Sequence, residues 1–266
     1  MDAVDASIRP VTDLRVRIQF GLNGSWLAVW SRMPRRRQRN TGGLIFHVIN
    51  RGVRKGVIFY TPEDYAGFFK LMVLAQARVP MRVHAVALMP NHWHLVLSPH
   101  DDGDLTRYVG WLSLTHACRW QRVHETRGTG PVYQGRFKAI PVQIGTHFVT
   151  VMRYVERNAV RAGLVSRAED WPWCSASMLA GSLKPELHPW PMDKPANWGR
   201  LVNEPETEVA LAAIRKCVAG GSPFGAKEWR EETAAQLGWT SGIRPEGHPA
   251  ARAESQSPSP GVVTGP

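Results

Sequence analysis

The sequence predicts an α+β fold, specifically the ferredoxin-like split βαβ arrangement: an antiparallel sheet with helices on one face, followed by a small C-terminal helical module. Strand and helix patterns follow one another in the order β-α-β-β-α-β, which is the order of that arrangement. Two neighbouring strand patterns are separated only by a Pro-Asn turn, which indicates a hairpin. The hydrophobic fraction of 43% is sufficient for a packed core.

The first strand and the first helix are indicated by the residues at their ends. Residues 44–52 (LIFHVINRG) are typical of a strand and end at a glycine. Residues 61–79 predict a helix, because Thr61 is a plausible N-cap and Pro62 occupies the first helical position. Two acidic residues follow, and they favour the positive end of a helix dipole.

The hairpin and the elements after it complete the predicted order. Gly163 is a natural C-terminal cap for the last helix of this region. The predicted elements are strands at 82–90 and 92–99, a helix at 104–124, a strand at 136–144 and a helix at 146–163.

Changes of composition divide the chain into five predicted segments. The N-terminal extension shows no sustained periodicity, and we expect the natural start at Met33. Two helical patterns, at 207–218 and 226–239, define the C-terminal module. The segments are a disordered extension with a basic arm at 1–40, the main domain at 41–180, a proline-rich linker at 181–205, the helical module at 206–241 and a disordered tail at 242–266.

The charge of the chain narrows the class of partner. The formal net charge is +11 and the sequence pI is about 10.1, which indicates nucleic acid rather than an anionic membrane. No stretch approaches the ~20 apolar residues that span a bilayer. The three cysteines lie far apart and match neither a zinc nor a disulfide spacing. We therefore expect a reduced, cytoplasmic protein without a membrane partner.

Two histidines lie one residue apart in the second strand of the hairpin. Alternation along a strand places His92 and His94 on one face and the intervening Trp93, with its apolar neighbours, on the other. Two imidazoles on one face can bind a divalent cation. An isolated His-x-His pair is also compatible with two hydrogen-bonded histidines at a sheet margin, so a third group is needed to decide.

The helix at 146–163 offers two such groups. Tyr154 and Asn158 are four residues apart and therefore share a helix face. The phenol of Tyr154 is a potential nucleophile beside a positive centre, and the side-chain carbonyl of Asn158 is a potential ligand for a hard cation. Taken alone, each is also compatible with an ordinary amphipathic helix.

These motifs together resemble the HUH-type single-tyrosine transposases, and within them the REP-associated tyrosine transposases. The resemblance covers about residues 41–180, and residues 214–239 resemble an added domain of that branch. The motifs, in the order and spacing of the family, are HVINRG (47–52), MPNHWHLVL (89–97), GPVYQGRFKA (130–139) and RYVERNAVRAGLV (153–165).

The resemblance implies a specific chemistry. His92 and His94, with Asn158 as third ligand, would bind Mg²⁺ or Mn²⁺. Tyr154 would attack single-stranded DNA, forming a 5′-phosphotyrosine and a free 3′-OH, on hairpin DNA resembling a REP element. The expected location is the bacterial nucleoid, and the chain is either a monomer or a homodimer.

Basic and aromatic residues near these motifs are candidates for DNA binding. Aromatic rings stack on bases and cations contact phosphates, as binding of single-stranded DNA requires. The resemblance favours DNA contact over a merely basic edge strand. The candidates are Asn50, Arg51, Tyr133, Arg136 and Lys138.

Two other functions are weighed against a strand transferase. A domesticated hairpin-binding protein without transposition is compatible with the C-terminal AGGSPFG (219–225), where the family carries basic residues. A zinc hydrolase is disfavoured, because no acidic residue flanks the His-x-His pair and the charge is strongly basic.

Overall fold

The computed structural model describes residues 41–177 and 184–239, together with two short strands nearer the N-terminus. Those strands, β1 (Val16–Phe20) and β2 (Trp26–Trp30), pair antiparallel in a unit of their own. The sequence predicts a disordered extension over 1–40, and these two paired strands are the part of it that the structure describes. The predicted tail at 242–266 lies outside the described residues.

The second unit is built on a four-stranded antiparallel sheet in the order β4-β5-β3-β6. The two strands at the centre, β5 and β3, are thus not neighbours in sequence, which is the split βαβ topology that the sequence predicts. The elements are β3 (Ile45–Arg51), α1 (Pro62–Arg78), β4 (Met81–Met89), β5 (His92–Pro99), α2 (Asp104–Val123) and β6 (Lys138–Val142).

The start of α1 is held by its own side chains. The Asp64 carboxylate accepts hydrogen bonds from the backbone N–H of Tyr60 at 2.8 Å and of Thr61 at 3.1 Å. A carboxylate that binds free backbone donors at this end also complements the helix dipole. The predicted helix start at Pro62 is confirmed.

The two faces of the sheet bury different helices. Helices α1 and α2 pack on one face, where Trp93 and Leu95 are completely buried. The opposite face carries α3 (Thr146–Glu156), which packs its Phe148 and Val151 against Val96. The expectation of helices on one face therefore describes only α1 and α2. Both faces are covered because the strands also carry apolar side chains on the second face, and these form a core of their own with α3.

Trp93 supplies a test of this strand alternation. Replacing Trp93 by Ala should lower the free energy of unfolding by about 3–5 kcal/mol, since it empties the centre of the core. Urea unfolding of the variant measures the loss. Leu114→Ala on α2, where the side chain is 67% exposed, should stay within about 0.5 kcal/mol of the parent. Equal losses in the two variants would contradict the alternation.

The predicted helix at 146–163 is interrupted. After α3 the backbone of Arg157 has φ −85° and ψ 4°, outside the α-helical minimum, and α4 (Asn158–Arg161) follows. Gly163 then adopts φ +69°, the left-handed conformation expected of a C-terminal cap. Tyr154 and Asn158 therefore belong to two helices rather than to one continuous helix.

Residues 184–239 pack on the sheet domain. The predicted linker at 181–205 contains α5 (Trp198–Leu201), whose Trp198 is buried, and Leu187 forms a bridge with Val83 on β4. The described part of the predicted linker therefore packs on the core, through the buried side chain of Trp198. Two further helices, α6 (Glu208–Gly220) and α7 (Lys227–Gln236), confirm the two predicted helical patterns. Over the described ranges, no helix is long and apolar enough to cross a membrane.

Candidate active site

A cluster of three histidines lies on the α3 face of the sheet, where β3 and β5 pair. His94 is opposite Ile49 in the register, which brings His47 diagonally next to it. The rings of His47 and His94 stack with centroids 5.1 Å apart, and Nε2 of His47 is 2.9 Å from Nδ1 of His94. The ring of His92 lies 5.0 Å from that of His94. The two predicted imidazoles therefore come together, and a third joins them.

His92 and His94 each form a hydrogen bond through Nδ1. Nδ1–H of His92 donates to Oδ1 of Asn91 at 2.6 Å, and the Asn91 amide is itself oriented by its bond to the carbonyl of Lys55 at 3.0 Å. Nδ1 of His94 faces Nε2 of His47 at 2.9 Å, a hydrogen bond in which either nitrogen can be the donor. With the proton on Nδ1, each Nε2 presents a lone pair, which is the usual arrangement behind a metal-binding histidine.

The three imidazoles are neutral at physiological pH. Burial lowers the pKa of His47 to about 3, with a further contribution from the Arg161 charge. Burial also lowers the pKa of His92 to about 4, and the nearby Arg51 and Arg161 charges act in the same direction. The pKa of His94 falls well below its usual value for the same reason, burial being the largest cause. Neutral imidazoles keep the lone pairs that a metal ion requires.

Tyr154 lies against this cluster. Helix α3 places its ring edge-on to two imidazoles, with centroids 5.7 Å from His94 and 5.8 Å from His47. On the same tyrosine, Cζ of Arg161 lies 4.1 Å from the ring centroid, a cation–π contact. A phenol, neutral imidazoles and a guanidinium thus meet at one point of the domain.

Asn158 is buried at the start of α4. Among the described residues, its side chain makes no hydrogen bond to the imidazoles. Across the same part of the chain, no group of three His, Cys, Asp or Glu side chains is arranged to hold a metal. The metal ligands expected from the sequence, His92, His94 and Asn158, therefore stay a prediction. The structure places the two imidazoles side by side and Asn158 on α4.

The basic candidates for DNA binding have different surroundings. Arg51 pairs with His92 in the register and lies half-buried beside it. Arg136 is exposed. Lys138 is exposed as well, but its ammonium group donates to the carbonyls of Val218 at 2.9 Å and Ala219 at 3.3 Å. Lys138 therefore caps the C-terminal end of α6. Contact of Arg51 and Arg136 with phosphate stays a prediction.

The other two DNA-binding candidates lie inside the domain, which corrects the prediction for them. The Tyr133 hydroxyl accepts from Nε1 of Trp93 at 3.0 Å and is 2.7 Å from Nδ1 of His116, and burial raises its pKa well above the usual value. Asn50 is buried, and its amide donates to the carbonyl of Gly135 at 3.4 Å. The ring and the amide are therefore enclosed in the domain, where both form hydrogen bonds within the protein.

Sequence reasoning assigned no role to four residues of this region: His47, Asn91, Arg161 and Glu206. Strand alternation in β3 could have put His47 on the correct face, but the register that joins it to His94 is a tertiary property. Asn91 precedes the His-x-His pair directly and could have been considered as a partner. Glu206 binds both Arg157 and Arg161, and no local pattern indicates those contacts.

The part of the chain that holds this site is similar to known proteins. Residues 41–158 match the family model described as "Transposase IS200 like". One matching solved structure is described as "Structure of the REP associates tyrosine transposase bound to a REP hairpin". Its sequence is 18% identical over the aligned region, which spans 53% of this chain and 80% of the chain in that structure, with a TM-score of 0.43. No curated protein matches the chain. The family match contains the whole sheet, the three histidines and Tyr154.

Proposed function

We propose that the chain is a REP-associated tyrosine transposase, because residues 41–158 match the IS200-like transposase family model and the motifs resemble that branch. It cleaves and rejoins single-stranded DNA through a covalent bond to Tyr154. The observation that carries this proposal is the edge-on contact of the Tyr154 ring with His94 and His47.

The reaction exchanges one phosphodiester for another. The Tyr154 phenol oxygen bonds to the phosphorus while the bond from phosphorus to the 3′-oxygen breaks. The proton of the phenol is lost and the leaving oxygen gains one, so the products are a 5′-phosphotyrosine and a free 3′-OH. Attack by the 3′-OH of another strand reverses these bond changes and joins the two strands without ATP.

A divalent cation fits the donor set of this site. His92 and His94 would hold Mg²⁺ or Mn²⁺ through Nε2, with the Asn158 side-chain oxygen as third ligand. Such an ion supplies positive charge that polarises the scissile phosphate. We propose that Asn91 and His47 favour the tautomer that leaves Nε2 free, since each lies within hydrogen-bonding distance of Nδ1 of one of the two imidazoles.

The proposed substrate is hairpin DNA with short single-stranded flanks, as the resemblance of the motifs implies. Arg51 beside His92 and the exposed Arg136 are the phosphate contacts that we propose. The net charge of +11 supports binding to DNA in general.

Hairpin binding without transposition is the second candidate function. Residues 219–225 carry no basic side chain, and Phe224 pairs with β6 through backbone hydrogen bonds to Pro141 and Gln143.

Whether the protein cleaves hairpin DNA distinguishes the two candidate functions. The protein is incubated with end-labelled hairpin DNA and Mn²⁺ and then run on a denaturing gel, where a covalent adduct is expected. Tight binding without an adduct across a panel of hairpins would instead favour the second function.

Asn91 allows a test of the metal site. Asn91→Ala should weaken Mn²⁺ binding by about 10- to 100-fold, because His92 loses the acceptor that fixes its tautomer. Asn91→Asp keeps an acceptor for Nδ1–H and should bind Mn²⁺ at least as tightly as the parent. Calorimetric titration of the DNA-free protein with Mn²⁺ measures both. Equal affinity in Asn91→Ala and the parent would rule out this role.

A further inference from the structure

A buried ion cluster connects the catalytic helices to the C-terminal module. The Glu206 carboxylate accepts from Nη1 of Arg161 at 3.0 Å on Oε1, and from Nη1 of Arg157 at 2.9 Å on Oε2. The Glu206 side chain is only 2% exposed, and both guanidiniums are largely buried. We call Glu206, Arg157 and Arg161 the Glu206 cluster.

Within the cluster, Arg161 also contacts Tyr154 twice. Its Cζ lies 4.1 Å from the ring centroid, and its Nη2 donates to the Tyr154 carbonyl at 3.1 Å. One guanidinium thus contacts both the ring and the backbone of the tyrosine, while the imidazoles of His47 and His94 contact the ring edge-on. The orientation of the Tyr154 ring depends on where Arg161 lies.

Glu206 in turn determines the position of Arg161. A guanidinium has several N–H donors in a fixed plane, so a carboxylate bound to one of them restricts the whole group. Without the carboxylate, two buried guanidiniums would face each other without a counter-charge, and at least one would have to move. Glu206 directly precedes α6, so it belongs to the C-terminal module rather than to the sheet domain.

We infer that Arg161 is a positioning residue for the nucleophile Tyr154, and that Glu206 makes the C-terminal module part of the active site by holding Arg161. This inference rests on the proposed function, since it concerns the same tyrosine. Cleavage then depends on the docking of residues 206–220 against α3 and α4, in addition to any contact of the module with DNA.

The test compares three variants in single-turnover cleavage of labelled hairpin DNA with Mn²⁺. Arg161→Ala should slow adduct formation by about 100-fold and Glu206→Gln by about 10-fold, because a small displacement of a reacting group is costly. Arg161→Lys keeps the charge and should recover part of the rate. Arg167→Ala is the matched control: Arg167 also pairs with a carboxylate, that of Glu169, but its side chain is 60% exposed and neither partner belongs to the Glu206 cluster. Its rate should equal that of the parent.

Two further measurements, DNA affinity and the additivity of the substitutions, distinguish a positioning role of Arg161 from a general loss of structure. The dissociation constant for uncut hairpin DNA should change by less than about 3-fold in each variant, so that the loss lies in the rate. Combining Glu206→Gln with Arg161→Ala should add no further loss, because Glu206 acts through Arg161. A parent-like rate in Arg161→Ala, a fully additive double variant, or an equal loss in Arg167→Ala would each overturn the inference. An absence of adduct in the parent protein would instead overturn the proposed function.

Discussion

Tyr154→Phe is expected to abolish the covalent adduct with hairpin DNA. The substitution removes the only atom that we propose to bond to phosphorus, so the rate should fall by at least about 10⁴-fold, as when the nucleophile of other enzymes is removed. The phenyl ring keeps the contacts with His94, His47 and Arg161. Folding and binding of uncut DNA should therefore stay close to those of the parent.

Denaturing gels with labelled hairpin DNA measure this loss, and gel-shift titration measures binding. Tyr60→Phe is the control, because Tyr60 is 61% exposed and lies before α1. It should form the adduct at the parent rate. An adduct that persists in Tyr154→Phe would exclude Tyr154 as the nucleophile.

His94→Ala is expected to have the second largest effect. Loss of one of two imidazole ligands removes most of the affinity for the cation, and with it a charge effect of several kcal/mol on the phosphate, about 10³-fold in rate. His92→Ala should act in the same direction. His147→Ala provides the comparison, since this histidine lies at the start of α3 and contacts Phe224 rather than the cluster.

The dependence of the cleavage rate on Mn²⁺ concentration is the relevant measurement. In His94→Ala and His92→Ala the half-saturating concentration should rise strongly. Tyr154→Phe does not cleave, so its Mn²⁺ affinity is measured by calorimetric titration and should equal that of the parent. If His94→Ala cleaves at the parent rate with the parent's metal dependence, the two histidines are structural.

Local patterns were sufficient for the sheet domain. The strand alternation that separates His92 and His94 from Trp93 depends only on backbone geometry, and the buried Trp93 confirms it. The capping residues of α1 predicted its start at Pro62 correctly. The topology followed from the order of the elements, since few arrangements of β-α-β-β-α-β are physically accessible.

The parts that sequence reasoning missed depend on distant contacts. His47 contacts His94 through the pairing of β3 with β5, and Glu206 contacts Arg161 through the docking of the C-terminal module. Tyr133 has the residue type of a base-stacking group, but a buried hydrogen bond from Trp93 places it in the core. In each case the residue type was compatible with two locations, and only tertiary packing decides between them.

The most direct test of the central claim is to identify the residue that carries the DNA. The adduct formed with hairpin DNA and Mn²⁺ is digested with nuclease and protease, and the peptides are sequenced by mass spectrometry. The account predicts a nucleotide attached through a 5′-phosphate to the peptide containing Tyr154, and to no other tyrosine. A nucleotide on Tyr60, Tyr108 or Tyr133, or a 3′-linked nucleotide on Tyr154, would contradict it.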